Sequence, residues 1–76
     1  MPNIEIYSMK NCVNCEKTKQ LLDQKQLSYA EVFIEQDYRI AIDVVNRSGQ
    51  RTVPQIFIDG VSIGGYKALS TMFGIN

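Results

Sequence analysis

Asn3-Ile4-Glu5-Ile6-Tyr7-Ser8-Met9-Lys10-Asn11-Cys12-Val13-Asn14-Cys15 is the stretch that decides the fold. Asn3 to Tyr7 alternates polar and apolar residues with the period of two expected of a strand, and Ser8 to Asn11 has no period and reads as a loop. From Val13 to Gln26 good helix formers follow without Gly or Pro, and Thr18, Leu21, Leu22 and Lys25 share one face at helical spacing. The strand therefore delivers Cys12 to the opening of a helix.

Working outward, Ser28 to Ile34 is rich in β-formers (Tyr29, Val32, Phe33, Ile34), and Asp37 stands where an N-cap would precede a helix over Tyr38 to Asn46. Ile40, Ala41, Val44 and Val45 are the expected core face of that helix; Arg47 falls in its last turn and Gly49 is its stop. Gln55-Ile56-Phe57-Ile58 and Val61-Ser62-Ile63 flank Asp59-Gly60, a strong two-residue hairpin signal. Gly64-Gly65 then releases the chain into a final helix over about Tyr66 to Phe73. The order strand, helix, strand, helix, hairpin, helix predicts a single α/β domain over 1–76. A βαβ unit joined to an antiparallel pair is best satisfied by a mixed four-stranded sheet packed by helices, with no linker, repeat or low-complexity tract.

Composition bounds the function. The 76 residues allow one small core, and 45% hydrophobic with 21% charged residues is the balance of an ordinary folded domain. Eight basic against eight acidic residues give no net charge, which argues against DNA, RNA and anionic membrane surfaces as partners. No apolar run approaches the ~20 residues of a membrane span, and Met1-Pro2-Asn3-Ile4-Glu5 lacks the features of a signal peptide, so a cytoplasmic location is expected. His is absent, which removes the commonest general base and metal ligand. Chemistry must come from cysteine, carboxylates or backbone.

Cys12 and Cys15 are the only cysteines, too few for a structural zinc site, so no metal is expected. At a strand-to-helix junction Cys12 would face free backbone N–H groups and the positive end of the helix dipole, both of which favour thiolate. It is the expected nucleophile. Cys15, one turn further in and less exposed, would attack a mixed disulfide formed on Cys12. Lys10 and Lys19 could add positive potential, or be merely solvated. The bland alternative, two small cysteines packed in a core, fits an arbitrary position better than a βα junction.

Taken with Ile6-Tyr7-Ser8 and Cys12-Val13-Asn14-Cys15, the segments Thr52-Val53-Pro54-Gln55-Ile56-Phe57-Ile58-Asp59-Gly60 and Ile63-Gly64-Gly65 give three motifs in one order over nearly the whole chain. In these the chain resembles the glutaredoxins. The resemblance implies a thioredoxin-like βαβαββα fold with three helices, strand order 2-1-3-4 and a cis peptide before Pro54. It implies glutathione-dependent reduction of protein disulfides and glutathione mixed disulfides through Cys12 and Cys15. Glutathione is then a co-substrate, no cofactor is tightly bound, and the chain is expected to act as a monomer.

By the same resemblance Val53 offers its backbone to glutathione and Pro54 shapes the groove. The peptides at Tyr66 and Lys67, after Gly65, would bind the γ-glutamyl carboxylate, and Arg51 would meet the glycyl carboxylate. Lys10, Asn14 and Thr52 complete the implied glutathione site. Departures from the family pattern are also visible. Val13 and Asn14 replace the usual Pro-Tyr, Met9 stands where Lys or Arg is common, and Ala68 replaces an acidic residue that holds the glutathione amino group. A Cys-Val-x-Cys pattern is similar to the NrdH-type redoxins, which makes the alternative an electron donor to ribonucleotide reductase, itself reduced by thioredoxin reductase. A second alternative is a dimer sharing a [2Fe–2S] cluster through Cys12 and two glutathiones.

Overall fold

The computed structural model describes residues 2–74; Met1, Ile75 and Asn76 of the expected 1–76 domain lie outside the described residues. The elements run β1 (Ile4–Ser8), α1 (Val13–Gln24), β2 (Ala30–Phe33), a 3-10 turn (Ile34–Gln36), α2 (Tyr38–Ser48), β3 (Gln55–Ile58), β4 (Val61–Gly64) and α3 (Tyr66–Met72). The strands form one mixed sheet in the order β2-β1-β3-β4. β1 pairs parallel with β2 and antiparallel with β3, and β3 pairs antiparallel with β4. The sheet order, mixed pairing and three helices are those expected from the sequence. No helix is long and apolar enough to cross a membrane among the described residues.

Local chemistry sets the element ends. Asp37 caps α2, its carboxylate accepting the Arg39 N–H at 2.9 Å, and Gly49 closes that helix at φ 75°, a left-handed conformation that costs glycine little. Asp59 (φ 52°) and Gly60 (φ 81°) both turn left-handed, as a two-residue hairpin turn of right-handed strands requires. Several boundaries, and one core face, differ from the sequence expectation. β1 runs on through Ser8, which is drawn out of the loop by pairing with Phe33. α1 stops at Gln24, so Lys25 ends the helix exposed instead of joining its core face, and Gln26 turns the chain at φ 58°. β2 is trimmed to Ala30–Phe33, and Ile34 winds into the 3-10 turn. Of the expected α2 core face only Val44 is buried, with Ile40, Ala41 and Val45 at its margins.

The side chains of β1 and β3 alternate between two cores. On the α1/α3 side Ile4, Ile6, Leu21, Leu22, Ile56 and Leu69 form an aliphatic cluster. A fully buried side chain such as Leu22 contributes about 1.5–3 kcal/mol by leaving water. On the α2 side Tyr7, Val44 and Phe57 form a smaller cluster, with Tyr7 and Phe57 edge to face at 5.5 Å between ring centroids. Arg47 covers it. Its guanidinium lies 4.3 Å from the Phe57 ring centroid, donates to the Tyr7 hydroxyl at 3.0 Å and pairs with Asp43 at 3.0 Å. A cation laid over aromatic faces ties α2 to the sheet where few aliphatic side chains are available.

Candidate active site

Cys12 is the N-cap of α1. Its backbone is extended (φ −108°, ψ 110°), and its sulfur accepts the Cys15 N–H at 3.2 Å. Asn11 just before it has φ 58°, a left-handed turn that Asn tolerates better than most residues. The Cys12 carbonyl takes the Glu16 N–H at 3.2 Å, the first bond of the helix. The two cysteines are joined as a disulfide with their Cα atoms 5.2 Å apart. Cys15 is 1% exposed, whereas Cys12 is only half-buried. Access from solvent therefore favours Cys12, and Cys15 is shielded by the packing of α1 that also buries Thr18.

The rest of the site comes from the far side of the sheet centre. The register Tyr7↔Gln55 brings Pro54 beside the C-terminal end of β1, the end that leads into the Cys12 loop. The Val53–Pro54 peptide is cis and Pro54 is buried. Gly65 lies against it: a Cβ on Gly65 would sit 3.4 Å from the Pro54 carbonyl oxygen, so the start of α3 packs on the Thr52–Pro54 segment. Gly64 has φ 115°, and a Cβ there would stand 3.1 Å from Ala68 Cβ. Tyr66 and Lys67 open α3, with no side chain capping it.

The remaining candidates are placed less centrally. Lys10 is exposed, and its N–H is held by Glu35 Oε1 at 2.8 Å. Asn14 is exposed, its carbonyl taking the Thr18 hydroxyl at 2.8 Å. Arg51 lines a groove of about 290 Å3 with Ala41, Ile42, Val45 and Asn46, on the α2 side. Lys19 does not face the cysteines as a free charge. Its ammonium pairs with Glu16 at 2.5 Å and Glu31 at 3.1 Å, and those partners, Glu16 foremost, hold its pKa above the ordinary lysine value.

Gln55 is the residue that sequence reading passes over. It is fully buried, and its Nε2 donates to the Thr52 carbonyl at 2.8 Å and to Gln50 Oε1 at 3.0 Å. The signal is faint but present: Gln55 has the strand parity of Phe57, so a polar residue stands where an inward side chain is due.

Against known proteins, the family model for Glutaredoxin matches residues 4–63. The chain belongs to the glutaredoxin family. It is 43% identical over 65 residues to glutaredoxin 3 of Escherichia coli (strain K12), an alignment covering 86% of this chain and 78% of that protein. Its fold is similar to the buckwheat glutaredoxin–glutathione complex (TM-score 0.84, 29% identity, 96% of this chain and 71% of that one). It is also similar to glutaredoxin 1 from Francisella tularensis complexed with cacodylate (TM-score 0.81, 30% identity, 97% and 94%). Glutaredoxin membership, together with a disulfide-capable Cys12–Cys15 pair at the βα junction, makes this chain a thiol–disulfide oxidoreductase.

Proposed function

We propose that this glutaredoxin is a dithiol, glutathione-dependent reductant of protein disulfides and of glutathione mixed disulfides, working as a cytoplasmic monomer. The observation that carries the proposal is the cap geometry: the half-exposed Cys12 sulfur receives the Cys15 N–H at 3.2 Å at the positive end of α1. Negative charge on that sulfur is favoured by the N–H and by the helix dipole.

The Cys12 thiolate attacks one sulfur of the substrate disulfide. An S–S bond to Cys12 forms, the substrate S–S bond breaks, and the second sulfur leaves as thiolate. With a protein disulfide, Cys15 gives up its proton and attacks the Cys12 sulfur, releasing the reduced substrate and closing the Cys12–Cys15 disulfide. Two glutathiones then restore the dithiol and leave as oxidised glutathione. With a glutathionylated protein the protein thiolate leaves first, and a second glutathione frees Cys12.

Glutathione would lie along the Thr52–Pro54 segment, its cysteinyl backbone on Val53, its γ-glutamyl carboxylate at the N–H groups of Gly65, Tyr66 and Lys67, and its glycyl carboxylate toward Arg51 and Lys10. Asn14 flanks the sulfur. The similarity to a glutaredoxin solved as a glutathione complex supports this assignment.

One observation favours a second reading. The first turn of α3 has no acidic residue, and Ala68 stands where the family places one, which weakens the hold on the glutathione ammonium. An NrdH-like donor to ribonucleotide reductase, reduced by thioredoxin reductase, would need no such contact. Turnover with glutathione, glutathione reductase and NADPH, compared with thioredoxin reductase and NADPH, separates the two. Faster turnover with glutathione is expected; turnover with thioredoxin reductase alone would refute the first reading.

A further inference from the structure

Gln55 is the first residue of β3, next to Pro54, and it is the one fully buried amide in the described chain with an acceptor left over: Gln55 Oε1 has no hydrogen-bond partner. The other end of the amide is fully engaged. Nε2 meets the Thr52 carbonyl at 2.8 Å, Gln50 Oε1 at 3.0 Å and Thr52 Oγ1 at 3.3 Å. A backbone carbonyl can only accept, so the atom facing Thr52 must be the NH2 group, and the free oxygen cannot be exchanged for it.

Thr52 itself is exposed, although its carbonyl is held by the buried Gln55 amide. An apolar side chain in place of Gln55 would leave no buried orphan oxygen. The amide thus ties down the loop through Nε2 while leaving one acceptor unpaired. What the amide does supply is direction. Val53–Pro54 is the only cis peptide among the described residues, so the Thr52–Val53 peptide is trans. In a planar trans peptide the C=O and N–H point opposite ways. Drawing the Thr52 oxygen inward onto a buried side chain turns the Val53 N–H outward. The start of this loop is also fixed: Ser48 Oγ accepts the Gln50 N–H at 3.1 Å and donates to the Gln50 carbonyl at 3.2 Å.

We propose that Gln55 is a positioning residue for substrate binding, its buried amide orienting the Thr52–Val53 peptide so that the Val53 N–H is presented to the backbone of the incoming disulfide. The choice of the first test substrate rests on the glutathione reading above. Gln55→Met keeps the volume and removes the donor; Gln55→Leu removes it with a second apolar shape. With a glutathionylated peptide, Gln55→Met is expected to raise KM about five- to tenfold at unchanged kcat, the scale of one well-placed hydrogen bond. The pH profile of Cys12 alkylation should not move. Gln55→Leu should raise KM as far, and it carries the test if Gln55→Met does not fold. KM within twofold of wild type in the folded variants, or kcat falling at constant KM, would overturn the proposal, and so would loss of the fold in both variants. Wild type failing on the glutathionylated peptide would refute the glutathione reading; the same KM and kcat comparison on a protein disulfide with thioredoxin reductase would then decide the role of Gln55.

Discussion

At the start of α2 the Asp37 carboxylate accepts the Arg39 N–H at 2.9 Å, and at the start of α1 the Cys12 sulfur accepts the Cys15 N–H at 3.2 Å. Both side chains occupy the N-cap, both have extended backbones, and both face the same unsatisfied donors. Asp37 is an anion wherever the protein is folded near neutrality, and the Arg39 guanidinium, then the Arg39 N–H, hold its carboxyl below the ordinary value of 3.8. Its cap is a fixed contribution to the helix. Cys12 offers a sulfur where Asp37 offers a carboxylate, and under the proposed mechanism the kind of donor that secures α2 at Asp37 would favour thiolate over thiol once the Cys12–Cys15 disulfide is reduced. Partner residues sharpen the contrast. Arg39 saturates the Asp37 carboxylate with two side-chain nitrogens, at 3.1 Å and 2.6 Å, whereas the nearest sulfur donor to Cys12 is the backbone of its own redox partner.

The largest effects should come from the cysteine cap. Cys12→Ser should reduce turnover of every disulfide substrate to background, because a hydroxyl can cap the helix but cannot form the mixed disulfide with the substrate sulfur. Cys15→Ser should abolish reduction of protein disulfides and leave deglutathionylation within a few-fold of wild type, since only the first needs an internal resolving thiol. Paired assays with a protein disulfide and a glutathionylated peptide read both, and equal loss of the two activities in Cys15→Ser would break the division of labour.

A smaller effect is expected at the uncapped third helix. Ala68→Asp supplies α3 with the carboxylate that its first turn lacks, and should lower the apparent KM for glutathione several-fold, up to the order of the tenfold that 1.4 kcal/mol allows. Steady-state kinetics with varied glutathione check it; an unchanged KM together with good turnover by thioredoxin reductase would favour the NrdH-like reading.

The smallest effect belongs to the fixed cap. Asp37→Ala should lower Tm by a few degrees without touching kcat. Because the folded carboxyl titrates below its unfolded value, its contribution is present above about pH 4 and fades as pH falls through the folded pKa. In thermal melts, the Tm gap between the two proteins should therefore be widest near neutral pH and narrow as the pH is lowered. A gap that stays constant would mean that the cap acts through packing and not through charge.

Both caps were legible in the sequence, because a cap is set by residue type and its distance to the next periodic run. The hairpin was legible for the same reason: Asp59-Gly60 supplies two adjacent left-handed residues in two positions. What local pattern could not reveal is what the sheet brings together. Glu16 is a local i,i+3 partner of Lys19, but Glu31 reaches Lys19 only because parallel pairing of β1 with β2 sets it there. Gln55 reads as an ordinary strand opener until the turn back from α2 lays Thr52 and Gln50 over its amide. The 3-10 turn at Ile34–Gln36 has no residue signature distinct from the end of a strand. The cis bond before Pro54 came from family resemblance alone, since an X–Pro pair is otherwise trans about nineteen times in twenty.

The most direct test of the Cys12 assignment is alkylation of the fully reduced protein with iodoacetamide across pH, with each cysteine followed by peptide mass spectrometry. Cys12 at the helix start should react first, with a half-maximal rate below the free-thiol value of about 8.5, and the buried Cys15 should lag at every pH. If Cys15 reacts first, or if Cys12 titrates at or above that value, the α1 N-terminus does not activate Cys12.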